Sequence, residues 1–393
     1  MNAPQRIVVV DGARTPVGSF GGAFKDVPAH VLGAKAVVEA LSRAGVDGAD
    51  VREVVMGCIG QVGPDAYNAR RVAIEAGLPQ STPAFTVNRL CGSGLQSIWS
   101  AAQEMRWNDL DITVAGGDEN MSRMPFYDFG ARGGYRLGDR TLQDGTMLML
   151  TDPFHGIGMG VTAENVASKY GVSREEQDEF ALRSQQRAAS EAAQQAFAEE
   201  IVAVETGGRK SVTVEKDEHP KSSTTAEILA GLRPAFAKDG TVTAGNSSGI
   251  NDGAAAVVLA TEAAASERGL TPMVALEHVS VAAMEPELMG YAPTLALNDL
   301  FEKSGLTPST VDVVELNEAF ASQAVAVVRD VGLDIEKVNP YGGAIALGHP
   351  VGATGAILAL RMAKHLVRND LETGIVTMCI GGGQALAALF RRV

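Results

Sequence analysis

The stretch "LSRAGVDGADVREVVMG" at 41–57 returns as "FEKSGLTPSTVDVVELN" at 301–317. The offset is a constant 260, pairing Leu41 with Phe301, Gly45 with Gly305 and Val51 with Val311. Each copy reads as a helix, a glycine stop and a strand, so the chain is built from two similar halves. Their endings also match, since "NDGAAAVVLAT" (251–261) resembles "GGGQALAALF" (381–390). Short β-branched runs such as "RIVVV" (6–10), "REVVMG" (52–57) and "DITVAGG" (111–117) alternate with helical patterns. That alternation marks stacked βα units and predicts a largely parallel sheet. The resulting division is a first half over 1–118 plus 247–270, a second half over 271–393, and a small inserted domain over 119–246.

The insertion has its own texture. It opens on the Met/Gly-rich "ENMSRMPFYDFGARGGYRLGD" and then carries polar residues through Glu200. Ser173 and Glu176 form an S-x-x-E capping box, and the pattern predicts one long helix from there. A segment of this length is too long for a structureless loop in a compact domain, and it is placed to cover a site.

The net charge of −14 argues against nucleic acid or a membrane surface as the main partner. No window approaches 18 uninterrupted apolar residues, and "MNAPQRIVVVDGARTP" has neither a signal-type nor a transit-type composition, so a cytoplasmic location is expected. The three cysteines, Cys58, Cys91 and Cys379, are far apart and lack a CxxC pair, which makes them thiols in a reducing compartment.

Two of these thiols sit beside glycines at strand ends. In "NRLCGSGLQS" (88–97), Cys91 lies between the strand "AFTV" (84–87) and a helix over 94–105. A helix N-terminus favours an anion and is expected to lower the thiol pKa, although a packed structural cysteine fits the local sequence as well. Cys379 follows the strand "GIVTM" (374–378) and precedes Gly381-Gly382-Gly383, whose N–H groups can point at a ligand oxygen. His349 lies in "GGAIALGHPVGATGAILAL" (342–360), close to a second helix start that disfavours imidazolium. Asn317 and Glu318 of "ELNEAFA" (315–321) stand at the carboxyl end of a repeat strand, where open α/β sheets bind ligands. Cys58, in "MGCIG", reads as structural.

Together "NRLCGSGLQS", "NEAF", "GGAIALGHPVGATGA" and "CIGGGQ", with "ARTPVGSFGGAF" (13–24) and "TVTAGNSSGINDGAA" (241–255), resemble the thiolase family over essentially the whole chain. The resemblance implies an α/β fold of duplicated βαβαβαββ halves in five α-β-α-β-α layers, with the insertion as a loop domain that binds coenzyme A. It implies Cys91 as the acyl-accepting nucleophile, His349 as its activator and Cys379 as the acid/base at the α-carbon. It further implies one oxyanion hole from an Asn317-held water with His349, and another from the N–H groups of Cys91 and Gly381. Leu150, Met159, Ala244 and Ser248 would contact the pantetheine, Lys221 would lie toward the nucleotide, and Met289 and Phe320 would crowd the acyl group. The implied partners are acyl-CoA, acetyl-CoA and CoA, in a homo-oligomer and with no metal or redox cofactor. Four positions depart from the family pattern: Gly158 in place of His, Tyr341 in place of Asn, Asn120 in place of Ser, and Lys221 where some members use Arg. A ketoacyl synthase-type condensing enzyme and a silent acyl-CoA-binding protein are the rival readings; Cys379 in "CIGGG" speaks against the first, and the intact Cys91, His349 and Cys379 speak against the second.

Overall fold

The computed structural model describes residues 5–208 and 211–393. The first half runs β1 (Ile7–Arg14), α1 (Ala29–Ala44), β2 (Val54–Gly57), α2 (Asn68–Glu75), β3 (Ala84–Val87), α3 (Ser93–Asn108) and β4 (Ile112–Asn120). The inserted segment follows with α4 (Met159–Tyr170), α5 (Arg174–Ala188) and α6 (Glu191–Glu200), and β5 (Asn251–Thr261) completes the half. The second half repeats the order with β6 (Val274–Ala283), α7 (Ala292–Ser304), β7 (Val313–Leu316), α8 (Ala321–Val331), α9 (Thr354–Arg368), β8 (Thr373–Ile380) and β9 (Gln384–Arg392). The glycine stops of the repeat do equivalent work. Gly45 ends α1 at φ 66° and Gly305 ends α7 at φ 71°, a left-handed conformation that a Cβ disfavours.

Hydrogen bonding orders the strands β7-β8-β9-β6-β1-β5-β4-β2-β3, with the two halves joined at β1 and β6 by the pairs Val8–Ala275 and Val9–Val274. The sheet is mixed, not largely parallel. β2 is parallel to β3 and β4, but β5 is antiparallel to both β4 and β1, because the inserted segment brings the chain back at the end where it left. The second half keeps the same pattern except for its third strand, which shrinks to a single bridge between Val314 and Val338. Asn339, at φ 48°, substitutes for the missing ladder: its side chain accepts from the Leu316 N–H at 2.8 Å and donates to the Leu316 carbonyl at 2.8 Å.

The expected single long helix of the insertion is instead two. α5 ends at Ala188 and Ser190 caps α6, its hydroxyl accepting from the Ala193 N–H, so a cap signal inside the polar run divides it. The capping box at Ser173 is formed in both directions.

α3 and α9 form the central layer, enclosed by strands of both halves and packed in one core with Leu95, Ile98, Met105, Leu358, Met362 and Leu366. Outside, α1 and α2 cover the first-half strands and α7 and α8 the second-half strands, which makes five layers. The two central helices meet backbone to backbone. A Cβ on Gly94 would lie 2.7 Å from the Ala356 nitrogen, and one on Gly355 would lie 2.3 Å from the Leu95 nitrogen. The insertion is clamped onto both halves by a buried ion cluster in which Glu200 of α6 accepts from Arg14 of β1 at 2.7 Å and Arg361 of α9 at 3.3 Å. Phe197 is flanked by the same two guanidiniums, at 5.4 Å and 5.0 Å. Burial pushes the Glu200 carboxyl up, but Arg361 and Arg14 outweigh it and hold it below the ordinary value.

Since no rotamer relieves a clash with backbone, Gly355→Ala is expected to destabilise the fold by about 3 kcal/mol. Urea unfolding would read this as a lower midpoint at unchanged slope. An unchanged midpoint would show that the helices can part without cost.

Candidate active site

The turn between β3 and α3 sets the first functional side chain. Leu90, just before Cys91, has φ 47°, which costs a non-glycine residue about 1–2 kcal/mol. The turn is held over that strain by local bonds. Asn88 Oδ1 accepts from the Leu90 N–H at 3.0 Å, while Ser93 Oγ donates to the Leu90 carbonyl at 2.6 Å and accepts from the Arg89 N–H at 2.9 Å. Gly92 lies against Ile380, and Gly381 lies against Leu90 and Met159, so the Cys91 turn and the Cys379–Gly383 turn face each other. The Gly381 N–H reaches the Cys91 sulfur.

Cys379 ends in a buried cluster with Met289, Ala319, Phe320, Ala163 and Val242, and Met159 packs against it. The sequence-based expectation for Cys91 fails in one respect. Burial pushes its thiol up to about 11, against the opposing pull of the Gly381 and Cys91 N–H groups. A helix terminus contributes about 0.3–2 kcal/mol, and desolvation of the sulfur exceeds it. Cys379 is raised further, by burial and then by the neighbouring Cys91. Cys58 is also buried and raised, beside the Glu119 carboxylate at 3.8 Å.

His349 is neutral, as expected, but the cause is burial, which lowers it to about 4. The His349 backbone N–H donates to Asn251 Oδ1 at 2.9 Å, and Gly348 packs onto that side chain at φ 95°. Nδ1 lies 2.6 Å from Thr354 Oγ1, whose hydroxyl donates to the Pro350 carbonyl at 2.9 Å. With the threonine hydrogen so committed, the hydrogen between them belongs to Nδ1. Nε2 therefore carries a lone pair. It faces Asn317 Nδ2 at 3.4 Å, and Asn317 Oδ1 is buried without a hydrogen-bond partner among the described residues.

The remaining expected contacts divide. Ser248 donates its N–H to the Ala319 carbonyl at 3.0 Å, and Ser247 bridges to Phe320, so the 244–248 segment lies along the Asn317–Phe320 turn. Ala244 is exposed on that segment. Leu150 accepts from the Met159 N–H at 2.9 Å but is outside the apolar cluster around Cys379. Lys221 is exposed, and its N–H donates to Gln185 Oε1 at 2.9 Å. Of the departures, Asn120 anchors the loop after β1 by donating to the Phe24 and Val27 carbonyls at 2.7 and 2.6 Å. Tyr341 is buried edge-on to Phe197 and His365. Gly158 faces open space, its nearest contact being the Leu150 carbonyl, 4.0 Å from an added Cβ. Among the described residues, no group of three or more His, Cys, Asp or Glu gathers to hold a metal ion.

Sequence reasoning missed Leu90, Asn251 and Thr354. Thr354, five residues after His349 and at a helix start, was findable. Asn251 was not, because its partner is 98 residues away in sequence.

The model for "Thiolase, N-terminal domain" matches residues 7–263, and that for "Thiolase, C-terminal domain" matches 270–392. The beta-ketothiolase BktB of Cupriavidus necator is 49% identical over 392 residues, covering 99% of this chain and 100% of the relative. An acetyl-CoA acetyltransferase of the same organism is 46% identical, over 98% and 99%. The crystal structure of the Bacillus anthracis acetyl-CoA acetyltransferase superposes with a TM-score of 0.98 at 42% identity, covering 100% of both chains. Human mitochondrial 3-ketoacyl-CoA thiolase in complex with CoA gives 0.95 at 40% identity, over 99% of this chain and 98% of that one. Two family models that together span nearly all of the sequence, and relatives near half identity over its full length, establish that this chain belongs to the thiolase family.

Proposed function

We propose that this thiolase cleaves short- to medium-chain 3-ketoacyl-CoA with CoA to acetyl-CoA and a shortened acyl-CoA, and runs the reverse condensation, through an acyl-Cys91 intermediate. The observation that carries the reading is the convergence of two thiols, Cys91 on a hydrogen-bonded turn and Cys379 near the end of β8, with a neutral imidazole whose Nε2 lone pair faces only Asn317 Nδ2 among the described residues. Cys91 is the nucleophile. Its sulfur attacks the carbonyl carbon as the thiol proton passes to His349 Nε2, and the leaving group takes a proton in turn. In thiolysis, attack on the 3-keto carbon breaks the bond between carbons 2 and 3, and Cys379 protonates the acetyl-CoA carbanion. His349 then returns its proton to the Cys379 thiolate, CoA attacks acyl-Cys91 as its thiol proton passes to the freed Nε2, and Cys91 leaves and takes that proton back. In condensation Cys379 removes that α-proton. Asn317 with His349, and the Cys91 and Gly381 N–H groups, stabilise the two oxyanions.

Because Cys91 is pushed up to about 11 and His349 down to about 4, the resting pair is thiol and neutral imidazole. Proton transfer is therefore coupled to attack and not completed beforehand. CoA lies along the insertion, with Leu150, Met159, Ala244 and Ser248 along the pantetheine and Lys221 toward the nucleotide, and Met289 and Phe320 close the acyl end. Supporting this placement, Met159, Met289 and Phe320 share the cluster around Cys379. No metal or redox cofactor enters the proposed reaction. A degradative, β-oxidation-type setting in the cytoplasm is proposed with it. A homo-oligomer, dimer or tetramer, is supported by the exposed Phe126, Phe129, Leu137 and Leu142.

Four measurements test the reading. Cys379→Ser is expected to form acetyl-enzyme and release one CoA per site while turnover falls by about 10³-fold, whereas Cys91→Ala forms no adduct in electrospray mass spectra. Wild-type condensation by the serine variant would remove Cys379 from the mechanism. The pH dependence follows from the two shifts. A base lowered to about 4 stays unprotonated above that value, so the acylation rate is flat between pH 5 and 7, and an acid limb near 6.5 would contradict it. A raised thiol ionises only as pH rises, so iodoacetamide labelling of Cys91 climbs into the alkaline range, ahead of Cys58 and blocked by acetyl-CoA. Finally, the open space at Gly158 predicts that kcat/KM holds from C4 to C8 substrates, and that Gly158→His cuts the C8 value about tenfold relative to C4. A collapse beyond C4 in the native enzyme would sink the chain-length assignment.

A further inference from the structure

His349 is delivered by a short piece of chain. Gly342 and Gly343 lead into a single helical turn, Ala344–Leu347, and Gly348 then swings the backbone to the histidine. The far end of this piece is held by Asn251 of β5, as described above. Its near end is gripped by two neighbouring side chains of α5, which belongs to the insertion. Ser184 Oγ accepts from the Gly343 N–H at 3.0 Å and donates to Glu318 Oε2 at 2.6 Å. The same carboxylate oxygen accepts from the Ile345 N–H at 3.2 Å, and its other oxygen accepts from Asn339 at 2.8 Å. Gln185 Nε2 donates to the Ile345 carbonyl at 3.3 Å, and Gln185 Oε1 takes the Lys221 N–H. Gly342, at φ 77°, packs onto α5 so closely that a Cβ there would lie 2.5 Å from the Ser184 carbonyl.

This grip is more than is needed to attach the helix. α5 is also tied to the second half on its outer side, where Arg183 pairs with Glu336, while Arg187 reaches both Glu336 and the Val338 and Asn339 carbonyls next to the grip. Ser184 and Gln185 spend buried hydrogen bonds on a four-residue turn that touches nothing of the outer attachment. All the partners of Glu318 in this network donate to it, so an amide at that position would set an N–H against a donor. The turn is consequently held at both ends, by the insertion and by β5, with no slack between the grip and the imidazole.

We propose that Ser184 and Gln185 are positioning residues for His349: the inserted segment, beyond covering CoA, sets where the base stands. The inference rests on the reading of His349 as the base. It also links the chain around Lys221 to the catalytic turn through a single glutamine side chain.

Ser184→Ala and the volume-conserving Gln185→Met test it, with thermal melts by circular dichroism to show that each folds. Each is expected to lower kcat about tenfold while KM for CoA stays within about twofold, because a displaced base slows chemistry without removing a CoA contact. Arg183→Gln, which loosens only the outer attachment, should leave kcat unchanged. A loss in Arg183→Gln equal to that in Ser184→Ala would assign the effect to attachment in general and overturn the proposal, as would unchanged kcat in both positioning variants.

A double-mutant cycle with His349→Asn separates this inference from the reading beneath it. Iodoacetamide alkylation of Cys91 at pH 7, followed by intact mass, is measurable even where turnover is lost. Ser184→Ala should slow it about tenfold in the native background and less than about twofold in His349→Asn. Equal slowing in both backgrounds would overturn the positioning role and leave the base intact. If His349→Asn alone changed neither alkylation nor turnover, the reading of His349 itself would fall.

Discussion

Everything at this site depends on a place where two helices have no side chains between them. Gly94 and Gly355 let α3 and α9 touch backbone to backbone near their first turns, at a separation that any Cβ would violate. α3 begins two residues after Cys91 and α9 begins five after His349, so the contact fixes the relative height of the two turns that carry the chemistry. Neither turn makes that alignment alone. Each half of the duplicated chain contributes one helix start, and the reactive pair comes together only where the halves meet.

The electrostatics follow from the same enclosure. A helix start offers a thiolate a modest, local attraction, and the protein interior opposes it with the larger cost of removing a charge from water. The outcome is a site whose groups are uncharged at rest, with N–H donors already aimed at the sulfur and a tautomer selected by Thr354. Such a site is reactive by arrangement. It holds no stored thiolate for a stray electrophile to consume, and its stabilising donors act when charge develops on the substrate.

How much of this could be read from the letters depended on how local the cause was. The repeat, the glycine stops and the strand ends are written in adjacent residues, and the halves and the positions of Cys91, His349 and Cys379 were legible from them, whereas the five layers came only with the family resemblance. The strand β3 was placed at its observed bounds, because "AFTV" is short, β-rich and flanked by turn residues. What escaped depended on distant partners. The reversal of β5 comes from where an insertion returns, the break between α5 and α6 from a serine hidden in a polar run, and the raised thiol from atoms contributed by other elements. The third strand of the second half is missing because one asparagine side chain imitates a ladder, a substitution no periodicity registers.

The insertion leaves the sheet at Asn120 and rejoins it at Asp252, and those two residues stand opposite each other on paired strands. The doorway through which the chain exits and re-enters is thus one rung wide, and the rung is made by the sheet. The β4–β5 ladder closes the excursion, and doubling its length would add only about 0.6 kcal/mol to the closure cost. Segments of the insertion can lengthen, shorten or exchange residues, as at Gly158, without moving the register of any strand of the sheet. Substrate range and reaction chemistry are accordingly free to drift apart in this architecture, with the Ser184–Gln185 grip and the Glu200 cluster as the points where the drifting part must still fit.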